Sequence, residues 1–372
     1  MQIMPELKSC KGTILIVTLW ILIVLTVFAL ALGRRASLEI KLAEYQRDEL
    51  RAAQLSGAAI ERAIWEKRND IIGELDALSE SWANNEAAFE DFALGQGTFT
   101  VSYLFDRMGE EEDFTLYGME DEESKININK VEEQVLLNLL ESCGVEDAER
   151  MASSIFIWSG KKEDTGDEEE AYYQALSLPY HCKKEEFKSI SELLLVRGIT
   201  TQLLYGEDED GDGRISKDEK GIVQYLTVFG EGSVNINTAG KKVLNALIGD
   251  AFPDLADKIA LYRKGDDGEP GSDDDGWFSI DADKVELGAG GTKEVKKLTA
   301  HYSEVEGDIF FDVTEEEWGK LQSLQSVDRL SATSNTFTIY AQAEVKKVKK
   351  SIVATIDLSE SEQISYHFWH KN

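Results

Sequence analysis

The hydrophobic pattern begins with an uncharged run from Thr13 to Leu32, TILIVTLWILIVLTVFALAL. At about 1.5 Å of rise per residue, such a run covers about 30 Å, the hydrocarbon thickness of a bilayer, and predicts a full membrane span. A secretory signal peptide has a shorter apolar region followed by a helix break. Here no break follows. Beyond Gly33 the chain runs without proline to Lys67, with Leu38, Leu42, Tyr45, Ala52, Ala59, Ala63 and Ile64 near helical spacing. One helix over 13–67 is expected, crossing the membrane over 13–32 and amphipathic thereafter.

Further on, alternation predicts strands over Phe99 to Phe105, Phe114 to Tyr117, Thr336 to Val345 and Lys350 to Leu358. Helical pattern fills the interval. Strands so far apart in the chain imply an α+β fold in which the C-terminus completes a sheet begun early and the middle is inserted. The expected division is 1–12 as a leader, 13–67 as the helix, 68–125 and 301–372 as the two parts of a β-domain, and 126–300 as the insert. The insert repeats itself: Ile126-Asn127-Ile128-Asn129 followed by Val135-Leu136 matches Val234-Asn235-Ile236-Asn237 followed by Val243-Leu244. Each copy leads to a second helix, around Ala148 to Trp158 and Leu255 to Arg263. Asn129 and Asn237 are read as helix N-caps.

Composition narrows the function. The 372 residues, 42% hydrophobic, suffice for two packed domains besides the membrane segment. A formal charge of −32, from 71 acidic against 39 basic residues, repels phosphate backbones and favours cations, so nucleic acid is set aside as a partner. Lys8 and Lys11 precede the span while Arg34 and Arg35 follow it, so flanking charge does not orient it. Of three cysteines, Cys10 precedes the span; Cys143 and Cys182 are open to one disulfide or two free thiols.

The sharpest chemical motif is DEDGDGRISKDE at Asp208 to Glu219. It fits a twelve-residue EF-hand loop, with Asp208, Asp210 and Asp212 at positions one, three and five, Gly213 at the turn and Glu219 at twelve. Arg214 would offer its carbonyl and Ser216 a hydroxyl or bridging water. Ca²⁺ needs six to eight hard oxygens, which a loop of this spacing converges. Calcium is therefore the expected cofactor, in a single structural site. The acidic runs Asp266 to Gly276 and Lys162 to Glu170 lack that spacing and read as solvated or weakly cation-binding loops. Catalysis finds no support: His181, His301, His367 and His370 form no H-E-x-x-H pair, and neither a nucleophile elbow nor a phosphate loop is present. His181 and Cys182 are adjacent in an extended segment, so their side chains point apart. The aromatic tail Tyr366 to Trp369 reads as strand packing.

A basic leader ending in Lys11-Gly12, followed by an unbroken apolar span merging into an amphipathic helix, resembles the class III signal of type IV pilins and pseudopilins. That resemblance implies cleavage by prepilin peptidase between Gly12 and Thr13, methylation of the new N-terminus, a single pass through the bacterial inner membrane and a periplasmic head. Thr13 and Val17 depart from the usual first residue and fifth-position glutamate. Lack of that glutamate looks like the K-type minor pseudopilin of type II secretion systems, where it accompanies placement at the fibre tip. KININ at Lys125 to Asn129, EEEAYYQAL at Glu168 to Leu176, FKSISELLLVRGIT at Phe187 to Thr200, YLTVFG at Tyr225 to Gly230 and VNINTAGKKVLNAL at Val234 to Leu247 are similar to that family in order and position. The family implies a pilin-like antiparallel β-domain with a large inserted α-helical domain that binds calcium. It also implies I- and J-type minor pseudopilins and the major pseudopilin fibre as partners, and a role in capping and initiating the pseudopilus for protein export. Two other roles compete: a minor pilin of a type IV pilus, and a membrane-anchored helix-hairpin-helix DNA receptor. The receptor fits poorly, since the second hairpin turn, Gly249 to Phe252, puts Asp250 where phosphate would approach.

Overall fold

The computed structural model describes residues 13–69, 75–105, 114–206, 221–272, 274–287, 291–302, 311–360 and 364–371. A single α-helix of 56 residues, Thr13–Arg68, forms a rod. Its last third buries Ala52, Leu55, Ala59, Ile60, Ala63 and Ile64, on successive turns of one face. Small alanines alternating with branched residues let the helix sit close on a sheet. Ser56 helps to seat it by donating to the Lys350 carbonyl across the interface, at 3.2 Å.

That sheet has six antiparallel strands. Along it run Phe92–Leu94, Gly97–Val101, Thr336–Val345, Val348–Asp357 and Ser365–Lys371, and the short strand Glu120–Asp121 also pairs with Thr336–Val345. The central hairpin sets Phe337 opposite Ile356, Ile339 opposite Ala354 and Ala341 opposite Ile352. All six are buried in one cluster with the rod face and Trp82, Phe89, Phe99 and Val101. The strand expected over 99–105 is divided: Gly97–Val101 stays in the sheet, whereas Tyr103–Phe105 turns away to pair with Phe114–Leu116.

Between the strand at Glu120 and the one at Thr336 lies a second, larger core that extends from Ile126 to Leu330. Two helical hairpins build it, Glu133–Ser142 with Ala148–Trp158 and Lys241–Ile248 with Leu255–Arg263. The first helices of the two hairpins pack on each other. A hairpin of long strands, Gly276–Leu287 with Gly291–Tyr302, contributes Phe278 and Leu298. The helical unit does not end at 300. The helix Glu315–Ser326 adds Leu321 and Leu324, and Leu330 and Ser331 run parallel to Val234 and Asn235. The sheet therefore resumes only at Thr336. The apolar positions of that helix are paired with the insert's core and not with the sheet, a choice that periodicity alone cannot make.

The repeated I-N-I-N segments open the two halves in the same way. Ile126–Asn127 runs parallel to Leu226–Thr227 and Val234–Asn235 to Leu330–Ser331. Asn129 and Asn237 are not helix caps; the residues at those positions are Glu132 and Gly240. Instead each amide clamps a distant peptide from both sides. Asn129 donates to the Phe187 carbonyl and accepts the Phe187 N–H, both at 2.8 Å. Asn237 does the same to Phe278, again at 2.8 Å in both directions. Asn127 and Asn235 orient these clamps, each accepting from the backbone N–H two residues on at 2.9 Å. A buried strand end needs partners for its N–H and C=O, and an asparagine side chain is the residue that offers both a donor and an acceptor.

Two outcomes follow for stability. Ile60→Ala, at a site with no exposed surface, lowers the unfolding free energy by about 2–5 kcal/mol through lost burial and a residual cavity; denaturant titration of the detergent-solubilised chain reads this. Asn237→Ala leaves both polar groups of the Phe278 peptide unsatisfied and costs about 2–4 kcal/mol. A loss below half a kcal/mol in the same titration would mean that the clamp contributes nothing.

Candidate functional site

The first half of the rod touches no other part of the head. Its large apolar side chains from Ile14 to Leu32 are 47–74% exposed, and among the described residues this is the one helix long and apolar enough to cross a membrane. Thr13 begins the helix and Val17 stands at its fifth position. Where the rod meets the head, Asp48 is buried and held by Lys346 at 2.7 Å, with Arg47 and Arg51 beside it. Lys346 and Arg47 keep its carboxyl below the usual range against the opposing effect of burial. Lys350 meets Glu49 at 2.8 Å one residue on. The tip of the central hairpin is thus tied to the rod at the level where the bare segment ends.

Entry into the helical unit and exit from it cross at one polar seam. Asp121 accepts from Asn235 Nδ2 at 3.1 Å, Ser334 Oγ at 2.6 Å, Thr238 Oγ1, and the Glu123 N–H at 2.8 Å. Glu122 takes Thr227 at 2.6 Å and Thr338 at 2.7 Å, and shares Lys125 with Glu120. Glu123 accepts the Asn335 N–H at 3.2 Å. These bonds join the sheet, the second I-N-I-N segment and the chain returning from the insert. Burial pushes Asp121 up to about 6 despite its hydroxyl donors. Burial and then the Asp121 charge push Glu123 up to about 8. For Glu122 burial acts in the same direction, but Lys125 and the two threonines outweigh it and its carboxyl is lowered. Nothing in the sequence marks Asp121 to Glu123 as different from other acidic runs; only the repeat of asparagines beside them hints at a buried junction.

Asp208, Asp210, Asp212, Arg214, Ser216 and Glu219 lie outside the described residues, as does Gly12. The flanks of the calcium motif are described. The helix Thr201–Tyr205 ends at Gly206, and the chain resumes at Gly221 before the turn Ile222–Tyr225. A Cβ at Gly221 would lie 2.2 Å from the Leu204 carbonyl oxygen and 2.5 Å from the Gly206 nitrogen. The two flanks, Gly206 and Gly221, therefore meet at one point, where only glycine fits. The other acidic runs serve local structure. Asp274 accepts the N–H groups of Asp266 and Asp267, Asp275 accepts that of Gly271, and Asp164 accepts those of Glu169 and Glu170. Burial pushes Asp275 up to about 7 although Gly271 and Arg263 oppose it. Among the described residues no group of three or more His, Cys, Asp or Glu is arranged to hold a metal ion.

Cys143 and Cys182 are free thiols. Burial raises both, so neither is poised as a thiolate. His181 turns to Glu170 at 2.5 Å, while the Cys182 thiol faces the Ile157 carbonyl. The tail does form a strand, Ser365–Lys371, at the sheet edge; Tyr366 packs on Trp369, and His367 stacks on Phe229.

The seam makes stability depend on pH. An unfolded Glu123 loses its proton near 4.5, whereas the folded chain holds it to about 8. Between those values the folded state binds the extra proton, so stability falls as pH rises and levels off above the folded value. Glu123→Gln removes this slope. Its thermal midpoint should gain on that of the parent between about pH 5 and about pH 8, and two parallel profiles would contradict the assignment.

Residues 113–205 match the family model described as Type II secretion system (T2SS), protein K. No curated protein matches the chain. In fold the chain is similar to a chain of the crystal structure of the GspK-GspI-GspJ complex from the enterotoxigenic Escherichia coli Type 2 Secretion System. The TM-score is 0.52 at 17% identity, over 90% of this chain and 99% of that one. The family model thus matches the first half of the inserted helical unit, and the solved structure shares the fold.

Proposed function

We propose that the chain caps the tip of a periplasmic pseudopilus and helps to start its assembly, as an assembly part and not as an enzyme. The observation that carries this reading is the helical unit set into one end of the sheet, on a rod whose first half is bare. Bare rods can pack side by side with their like, as apolar helices do in the membrane and in a fibre core, while so bulky a head obstructs further subunits above it. Val17 supports an end position: a subunit with no fifth-position carboxylate brings no charge to balance a neighbour's terminal amine in an apolar surround. In this reading the chain is cut between Gly12 and Thr13 and methylated, spans the inner membrane once and carries its head in the periplasm. I- and J-type minor pseudopilins are its partners, since the similar structure is a complex of GspK with GspI and GspJ, and the major pseudopilin fibre lies beneath.

The segment between Gly206 and Gly221 is assigned to calcium. Asp208, Asp210, Asp212 and Glu219 would supply carboxylate oxygens, Arg214 its carbonyl and Ser216 a hydroxyl, a donor set matched to a hard divalent cation. The ion would fasten the loop against the helical unit and take no part in a reaction.

Co-expression with I- and J-type subunits should yield a complex that survives size exclusion and is lost on replacing residues 126–331 by a short linker; a chain that never associates with either subunit would overturn the tip assignment. Calcium at about a hundredfold above its Kd should stabilise the parent by about 2.7 kcal/mol. Glu219→Gln should abolish most of that gain, and equal calcium shifts in both proteins would remove the loop as the site.

A further inference from the structure

On the first helical hairpin, away from the seam, a groove of about 930 Å³ opens between the hairpin and the segment 162–169. Its walls are unbalanced in charge. Asp147, Glu149, Glu163 and Glu168 stand exposed around it, with no ion pair among the described residues. Of the basic residues lining it, Lys162 is bound to Glu133 at 2.6 Å, which leaves Arg150. The floor supplies a second, separate observation. Glu169 is 6% exposed and uses one carboxylate oxygen twice, accepting from Ser154 at 3.1 Å and Arg197 at 3.3 Å. Its other oxygen, Oε2, is buried with no hydrogen-bond partner. A buried carboxylate oxygen without a donor is costly, and the group it lacks is a hydrogen-bond donor, best a charged one.

We propose that this groove binds a basic peptide segment of a partner protein, with one cationic side chain reaching Glu169 and further cations meeting the rim. A single monovalent ion would occupy little of such a volume. Leu137 and Ile157 line the groove beside the carboxylates, and apolar wall next to negative charge suits lysine and arginine, which lay an alkyl stem on such a surface and present the charge at its end. Rim carboxylates in water contribute little each and act mainly on encounter, so affinity should fall steeply with salt.

The probe is a fluorescein-labelled nona-arginine peptide, titrated against the full chain in neutral detergent micelles and followed by anisotropy. Since the whole protein is acidic, two quadruple variants are compared. One neutralises the rim, Asp147→Asn, Glu149→Gln, Glu163→Gln and Glu168→Gln; the other removes the same charge elsewhere, Glu141→Gln, Glu185→Gln, Glu231→Gln and Asp250→Asn. The rim variant should bind about tenfold more weakly and the control within about twofold of the parent. Equal losses in the two variants would reduce the effect to general attraction and overturn the proposal, as would absence of binding to the parent. Calcium uptake, measured without peptide and abolished by the rim substitutions alone, would make the groove a metal site and equally overturn it.

Discussion

One helix is bare along its first half and packed along its last third. In hydrocarbon every backbone N–H and C=O would need an internal partner, which an unbroken helix provides; in the head the same helix has to present a face that a sheet can cover. Thr13–Arg68 has the form for both, without interruption. Its apolar residues are spread around the whole circumference up to Leu32 and narrow to a single stripe from Ala52 to Ile64. The sheet is assembled against that stripe from strands at the two ends of the head, so the attachment of the rod and the closure of the sheet are one event. Anything that loosens the stripe loosens the sheet.

Because the sheet is closed by Thr336–Val345 and Val348–Asp357, the long interval between its early and late strands has to leave and return at nearby points. The seam at Asp121 to Lys125 is where this is settled. Buried carboxylates held by hydroxyls and amides make a junction with direction, since each bond names its partner, whereas an apolar seam would tolerate sliding. The cost is desolvation, visible in the raised Asp121 and Glu123 carboxyls.

Inside the helical unit the same device occurs twice. Each half begins with a short parallel pairing, turns at an asparagine, and clamps the peptide of a distant phenylalanine. The two phenylalanines begin similar stretches, Phe187-Lys188-Ser189-Ile190 and Phe278-Ser279-Ile280, so the repeat extends further than the I-N-I-N segments alone suggest. An asparagine a few residues before a helix invites the expectation of a cap, and the two uses are indistinguishable from local sequence. The difference lies in a partner 58 or 41 residues away.

The sequence by itself determined what depends on neighbours along the chain. It carried the long apolar helix, because twenty uncharged residues of one character are read locally; the two central strands, because alternation is local; and the second helices Ala148–Trp158 and Leu255–Arg263. It also carried the oxygen spacing of Asp208 to Glu219, which is a property of twelve consecutive residues. Only the tertiary structure decided what depends on distant partners. Such are the assignment of Glu315–Ser326 to the insert, the turning away of Tyr103–Phe105 from the sheet, the double clamps of Asn129 and Asn237, and the burial that makes Asp121 and Glu123 unlike the solvated carboxylates around them. A period of two or 3.6 residues tells which face is apolar but not what covers it, and a carboxylate's ionisation is set by the dielectric and the donors that folding brings to it.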